Sequence, residues 1–176
     1  MIPIPRFLLL VGLAAIALLR PATAQDPFAA EELDLHKKCT STLLSFASTA
    51  KSNKVGQRAK QAFDLVIGSY DADNAAARAE LGWKKDKGQW VAEQDPKKKK
   101  KWVDKASYEA RFKVVDEWYK TSIKLGALHR AVGMKMKAAG NARATFHLEK
   151  AVYYNAMDKE ANVALGLVEG PGFYGT

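Results

Sequence analysis

Between Asp26 and about Lys51, Leu33, Leu35, Cys39, Leu43, Leu44, Phe46 and Ala47 fall at mixed three- and four-residue steps, which places apolar side chains on one side of a helix. Asp26-Pro27 suits its start: proline is tolerated in a first turn, and Glu31 and Glu32 lie near the positive end of the helix dipole. Ser52-Asn53 breaks the pattern. A second helix is expected over about Val55–Ile67, with Ala59, Ala62, Phe63 and Val66 in one stripe and Gly68 in a left-handed cap. Asp71-Ala72-Asp73-Asn74 then reads as a turn and N-cap for a short Ala-rich helix over Ala75–Leu81. Gly82 is expected where a side chain would hold two helices apart. The stretch Lys84–Lys105 is the weakest for helix. Trp90-Val91 and Trp102-Val103 are candidates for two short strands joined across Asp95-Pro96, with a plain polar loop as the alternative. From Ser107 to roughly Ala139 helical spacing returns through Phe112, Val115, Trp118, Tyr119, Ile123, Leu125, Leu128, Val132 and Met136. Gly140-Asn141 is the break before a further helix, Ala142–Tyr153.

One pattern occurs twice, 84 positions apart. Tyr70-Asp71-Ala72-Asp73-Asn74, Ala77, Leu81-Gly82-Trp83, Gly88 and Trp90 are matched by Tyr154-Asn155-Ala156-Met157-Asp158, Ala161, Leu165-Gly166-Leu167, Gly172 and Tyr174. Units of this kind commonly stack to build a surface and less often enclose a reactive group.

Ala144, Leu148 and Ala151, followed by Tyr154-Asn155-Ala156, Asn162 and Leu165-Gly166, have a spacing that resembles divergent tetratricopeptide-like repeats of exported bacterial proteins. Ala156 stands where that family commonly has proline, and the aromatic before Leu-Gly is missing. In the first copy Ala59, Phe63 and Val66 lie one residue out of register with Leu81-Gly82. The resemblance covers about Val55–Val91 and Ile123–Thr176. It implies an all-α fold of helical hairpins, and protein or peptide binding, often as one part of a longer chain. The organisation expected is a secretory signal over 1–24, a helical unit over 25–83, a Lys/Trp-rich insertion over 84–105 as loop or small hairpin, and a second helical unit over 106–176. The ending Gly170-Pro171-Gly172-Phe173-Tyr174-Gly175 either folds back on the last hairpin or marks a piece of something longer.

The signal reading rests on Arg6, the apolar run Phe7–Leu19 and the small-x-small site Ala22-Thr23-Ala24. The run of 13 residues is short of the ~20 that span a bilayer as a helix. Export to the periplasm or beyond is therefore expected, with no transmembrane span after cleavage. Loss of Arg6 and Arg20 leaves 26 basic residues against 19 acidic ones, a net charge of +7 in place of +9. With Cys39 alone, no intramolecular disulfide forms, and a buried thiol is expected.

Candidate chemistry is sparse. His36, His129 and His147 show no His-Glu-x-x-His spacing and no cysteine pair accompanies them, so no metal or cofactor is expected, although the spacing of His129 and His147 about the Gly140 turn would allow them to approach. Gly68-Ser69 lacks the second glycine of a nucleophile elbow, and the late glycines lack the Lys-Ser/Thr of a phosphate loop. No catalytic constellation stands out, and a non-enzymatic role is expected. The leading expectation is a scaffold or adaptor in the cell envelope, contacting a protein or peptide through Tyr119, Lys120, Lys124 and His129 on the long helix. The first alternative is binding of an anionic polymer (nucleic acid, lipopolysaccharide or acidic glycan) through Lys97, Lys98, Lys99, Lys100 and Lys101 with Trp90 and Trp102. The second is a non-catalytic fragment of a longer exported enzyme. No small-molecule substrate is indicated.

Overall fold

The computed structural model describes residues 26–95 and 100–175. The expected signal sequence, Pro96 and Lys97, Lys98 and Lys99 lie outside the described residues. The chain is mostly helical, and the same order of elements occurs twice. The first half runs α1 (Ala29–Ser52), α2 (Gly56–Leu65), a π-turn (Val66–Tyr70), α3 (Ala75–Glu80), β1 (Trp83–Asp86) and β2 (Gln89–Ala92). The second half runs α4 (Tyr108–Ala138), α5 (Ala144–Tyr154), α6 (Lys159–Ala164), β3 (Val168–Gly170) and β4 (Phe173–Gly175). Among the described residues no helix is long and apolar enough to cross a membrane.

Local chemistry sets most of these boundaries. The Asp26 carboxylate accepts from Phe28 N at 3.0 Å ahead of α1. Ser107 caps α4 by accepting from Ala110 N at 3.3 Å. The short helices start alike: the Asn74 side chain accepts from Ala77 N at 2.9 Å and Asp158 from Ala161 N at 3.1 Å. Gly140, with φ +68°, reverses the chain between α4 and α5, and Lys54, φ 59°, does so between α1 and α2.

The one-residue register slip has a structural cause. Ala59, Ala62, Phe63 and Val66 are buried on α2 and the π-turn as Ala144, His147, Leu148 and Ala151 are on α5, each pair 85 positions apart, while Tyr70 and Tyr154 are 84 apart. The extra residue is absorbed in the π-turn, where Asp71 N donates to Val66 O, five residues back; in α5 Asn155 N donates to Ala151 O, four back. Gly68 thus sits inside the π-turn with no left-handed conformation, and the expected cap there is replaced by helix continuing to Tyr70.

Two other expectations are corrected. The hairpin pairs Trp83–Asp86 with Gln89–Ala92 around Lys87-Gly88, rather than Trp90-Val91 with Trp102-Val103 across Pro96. A tight turn with Gly88 at φ +86° closes far less chain than the longer loop would. Residues 102–105 instead brace the α1–α2 corner: Asp104 bridges Val55, and Lys105 N donates to Lys54 O at 3.0 Å. Gly82 has open space around it and is required for its φ of +84°, not for close approach. The close approaches are at Gly126 and Gly133 on α4, where a Cβ would lie 3.0 Å from Ala151 O and 2.9 Å from Leu148 Cγ. These glycines let α5 lie directly against α4. The C-terminal tail folds as the β3–β4 hairpin.

α1 and α4 run antiparallel. The chain just before α4 is tied to the end of α1, and Arg143, just before α5, reaches the start of α1 at Asp26 and Glu32. One core spans both halves, from Leu35, Cys39, Leu43 and Phe46 to Val114, Leu125, Met136 and Tyr154.

Candidate functional site

Burial concentrates the chain's titratable chemistry at the meeting point of the two halves. Tyr154 Oη lies 2.8 Å from Tyr70 Oη, and Tyr70 Oη lies 2.9 Å from His129 Nε2. His129 Nδ1 then faces His147 Nδ1 at 3.2 Å, and His147 Nε2 faces Glu32 Oε1 at 3.1 Å. The other Glu32 oxygen accepts from Arg143 at 2.6 Å, and Arg143 also donates to Asp26. Five elements contribute: the start of α1, the π-turn, α4, α5 and the segment before α5. Helical spacing explains how: His129 falls four residues after Leu125 and three before Val132, on the buried stripe of α4.

Donor and acceptor chemistry gives the chain one direction. A Glu32 carboxylate only accepts, so His147 donates from Nε2 and, when neutral, accepts at Nδ1. His129 therefore donates from Nδ1 and accepts at Nε2; Tyr70 donates to it, and Tyr154 donates to Tyr70. Every proton points toward Glu32.

The surroundings oppose charge on His129, on the two tyrosines and on the neighbouring Cys39. Burial, then the nearby His147, Lys150 and His36, push His129 down from 6.5 to about 3. Burial raises both tyrosines, with the Tyr154 contact adding to the effect on Tyr70. Cys39, fully buried beside Tyr70, is pushed up to about 12 by burial and stays a thiol at neutral pH. Among the described residues no group of three His, Cys, Asp or Glu is placed to hold a metal ion.

The four residues expected to contact a partner do not share a face. Each residue turns the helix by ~100°, which sets Lys120 and Lys124 about opposite His129. His129 is inward, 2% exposed, and belongs to the buried chain. Tyr119 is exposed, and Lys120 is paired with Asp116 at 2.7 Å, which raises its pKa. Lys124 is exposed.

Tyr119 belongs to a larger feature that reading α4 as core had hidden. Tyr108, Phe112, Val115 and Tyr119 are 74%, 63%, 56% and 64% exposed and form an apolar stripe on the first half of α4. Phe112, Tyr119, Gly126 and Gly133 recur every seven residues, nearly two turns, so the stripe continues the side of α4 that α5 covers further along. Trp118, beside it, lines a cleft of about 510 Å³ with Phe46, Ala62, Leu65 and Tyr153.

Among the described residues of the basic segment, two lysines are used within the fold. Lys100 and Lys51 both pair with Glu80, whose pKa they lower, and Lys84 pairs with Glu93 at 3.0 Å. Lys101 is exposed. Trp90 donates to Asp73 at 3.2 Å, and Trp102 packs on Phe63 with ring centres 5.9 Å apart. No family model, no curated protein and no solved structure matches the chain.

Proposed function

We propose that the protein is an exported binding scaffold, of tetratricopeptide-like helical build, that receives an amphipathic helix of a partner protein on the open half of α4. The observation that carries this reading is the stripe Tyr108, Phe112, Val115 and Tyr119, in line with the two glycines on which α5 rests. α5 supports the reading as a precedent within the fold: a helix laid along this side of α4. Aromatic side chains are the residue type that anchors such interfaces. Because Lys84 and Lys100 are ion-paired and Trp90 and Trp102 have structural partners, the lysine segment offers less to an anionic polymer than its composition implies.

The test is capture from cell-envelope extract with three immobilised proteins: wild type, Phe112→Asp/Tyr119→Asp, and a variant with Lys97 to Lys101 changed to glutamine. A defined protein retained at high salt by wild type and the lysine variant, and lost from the stripe variant, is expected. Retention that survives the stripe substitutions but fails with the lysine variant or in moderate salt assigns binding to the basic segment instead.

A further inference from the structure

We propose that the buried tyrosine–histidine chain is an acid-operated latch, which holds α5 against α1 and the π-turn at neutral pH and releases it when a second proton enters the imidazole pair. The inference stands on the hydrogen-bond geometry and is independent of what binds α4.

The chain accommodates one proton and not two. If His147 gains a proton it donates to Glu32 from Nε2 and to His129 from Nδ1. Neutral His129 then changes tautomer and donates from Nε2 to Tyr70, which turns its own hydroxyl toward Tyr154. All contacts survive: His147 still donates to Glu32, and the bonds from His147 through His129 and Tyr70 to Tyr154 reverse direction. A second proton, on His129, places two N–H groups face to face at 3.2 Å between rings that are 2% and 1% exposed. Each N–H then faces a donor where it needs an acceptor, and burial shields the two charges from bulk solvent.

The groups around His129 do not relieve the conflict. α1 presents Glu32, His36 and Cys39; the π-turn presents Tyr70; α5 presents His147, Lys150 and Tyr154. Glu32 is the one acid among them, and it touches His147, not His129. Arg143, just before α5, faces both Glu32 and Asp26. Asp26 has its pKa lowered, first by the Phe28 amide, which favours the charged form that pairs with Arg143.

The sign follows from His129. Its pKa is depressed in the closed form, so the closed form is favoured fully above about 6.5. It loses ground as pH falls from there toward about 3, by up to tenfold in the opening equilibrium for each pH unit. α5 carries Tyr153, one wall of the cleft, and covers Gly126 and Gly133, so its release reshapes the side of α4 described above.

Hydrogen exchange of the α5 amides in the full protein, corrected for the intrinsic pH dependence of exchange, tests the latch. The opening constant is expected to rise at least tenfold between about pH 6.5 and about pH 4.5 in wild type. In His129→Leu, which copies the Leu43 of the first half, the rise is expected to vanish. Should that variant not fold, the ring signals of His129 in wild type decide, because they are expected to stay neutral for as long as α5 stays protected. Equal α5 protection at both pH values overturns the proposal. So does an undiminished rise in His129→Leu, or His129 titrating near 6.5 with α5 still closed.

Discussion

The two halves place like elements in like order and differ in what they bury. α1 and α4 end 86 positions apart, and on that spacing Leu43 of α1 stands where His129 stands on α4, Cys39 where Leu125 stands and Ala47 where Gly133 stands. On the spacing of the second helices, Ala62 stands where His147 stands and Phe63 where Leu148 stands. The first half closes with apolar side chains and alanines. The second closes with glycines against Leu148 and Ala151, and with two imidazoles in direct contact, His129 reaching on to Tyr70 and through it to Tyr154. An apolar contact depends on shape and area, whereas a buried polar chain depends on every partner being present, because an orphaned group keeps its full desolvation penalty. The same backbone plan therefore gives an α1–α2 pair that tolerates change and an α4–α5 pair that is sensitive to single atoms.

The largest separation is expected between the two tyrosines, whose hydroxyls meet. Tyr70 both accepts from Tyr154 and donates to His129, so Tyr70→Phe leaves two buried groups without partners. A loss of about 2–4 kcal/mol is expected, with each orphan costing roughly 1–3. Tyr154 only donates, and Tyr154→Phe removes a bond without stranding a donor, for a loss of about 0.5–1.5 kcal/mol. Urea unfolding of the two variants near neutral pH measures the difference. Equal losses would mean that the chain does not have the direction Glu32 imposes.

The caps of the short helices give a smaller contrast. Asn74→Ala loses the bond to Ala77 N, worth about 1 kcal/mol. Asp158 caps α6 in the same way but is 5% exposed and also accepts from Arg130 at 3.1 and 3.2 Å, locking α6 to α4. Asp158→Ala is expected to cost about 2–3 kcal/mol, because a charged bond is lost together with the cap. Asp158→Asn keeps the cap and should fall between the two. If thermal unfolding placed both alanine variants level, Arg130 would contribute nothing to the second half.

Much of this plan is legible in the chain itself. Ser107 and Gly140 bracket α4 to within a residue or two, and the Asp/Asn turns announce α3 and α6 because capping is local chemistry. The apolar steps of α4 were misleading at its start: Phe112, Val115 and Tyr119 keep helical spacing but face outward, since periodicity shows that a stripe exists and not what covers it. His129 carried a readable signal, its place between Leu125 and Val132, which reading it as a contact residue overlooked. Glu32 carried none, because its partner His147 is 115 positions away and only the packing of α1 and α5 on α4 brings them together. Gly126 and Gly133 read as interruptions of a helix, when the absent side chains are what admit α5.

The smallest effect is expected at Thr40, in the first half, where the structure is slack rather than tight. Thr40 is 8% exposed, and among the described residues its Oγ1 finds no hydrogen-bond partner. It borders a cleft of about 530 Å³ with His36 and Tyr70, whereas its counterpart, Gly126, 86 positions on, is pressed against Ala151 O. Valine has the same shape without the hydroxyl and keeps the β-branched fit to α1. Thr40→Val is expected to leave stability unchanged or to raise it by up to about 1 kcal/mol, since a buried group without a partner is lost and no contact goes with it. A shift of the urea midpoint to lower concentration would show that the hydroxyl is satisfied after all. The α1–α2 pair would then also depend on a polar contact at its core, and the division between a tolerant pair and a sensitive one would fail at that residue.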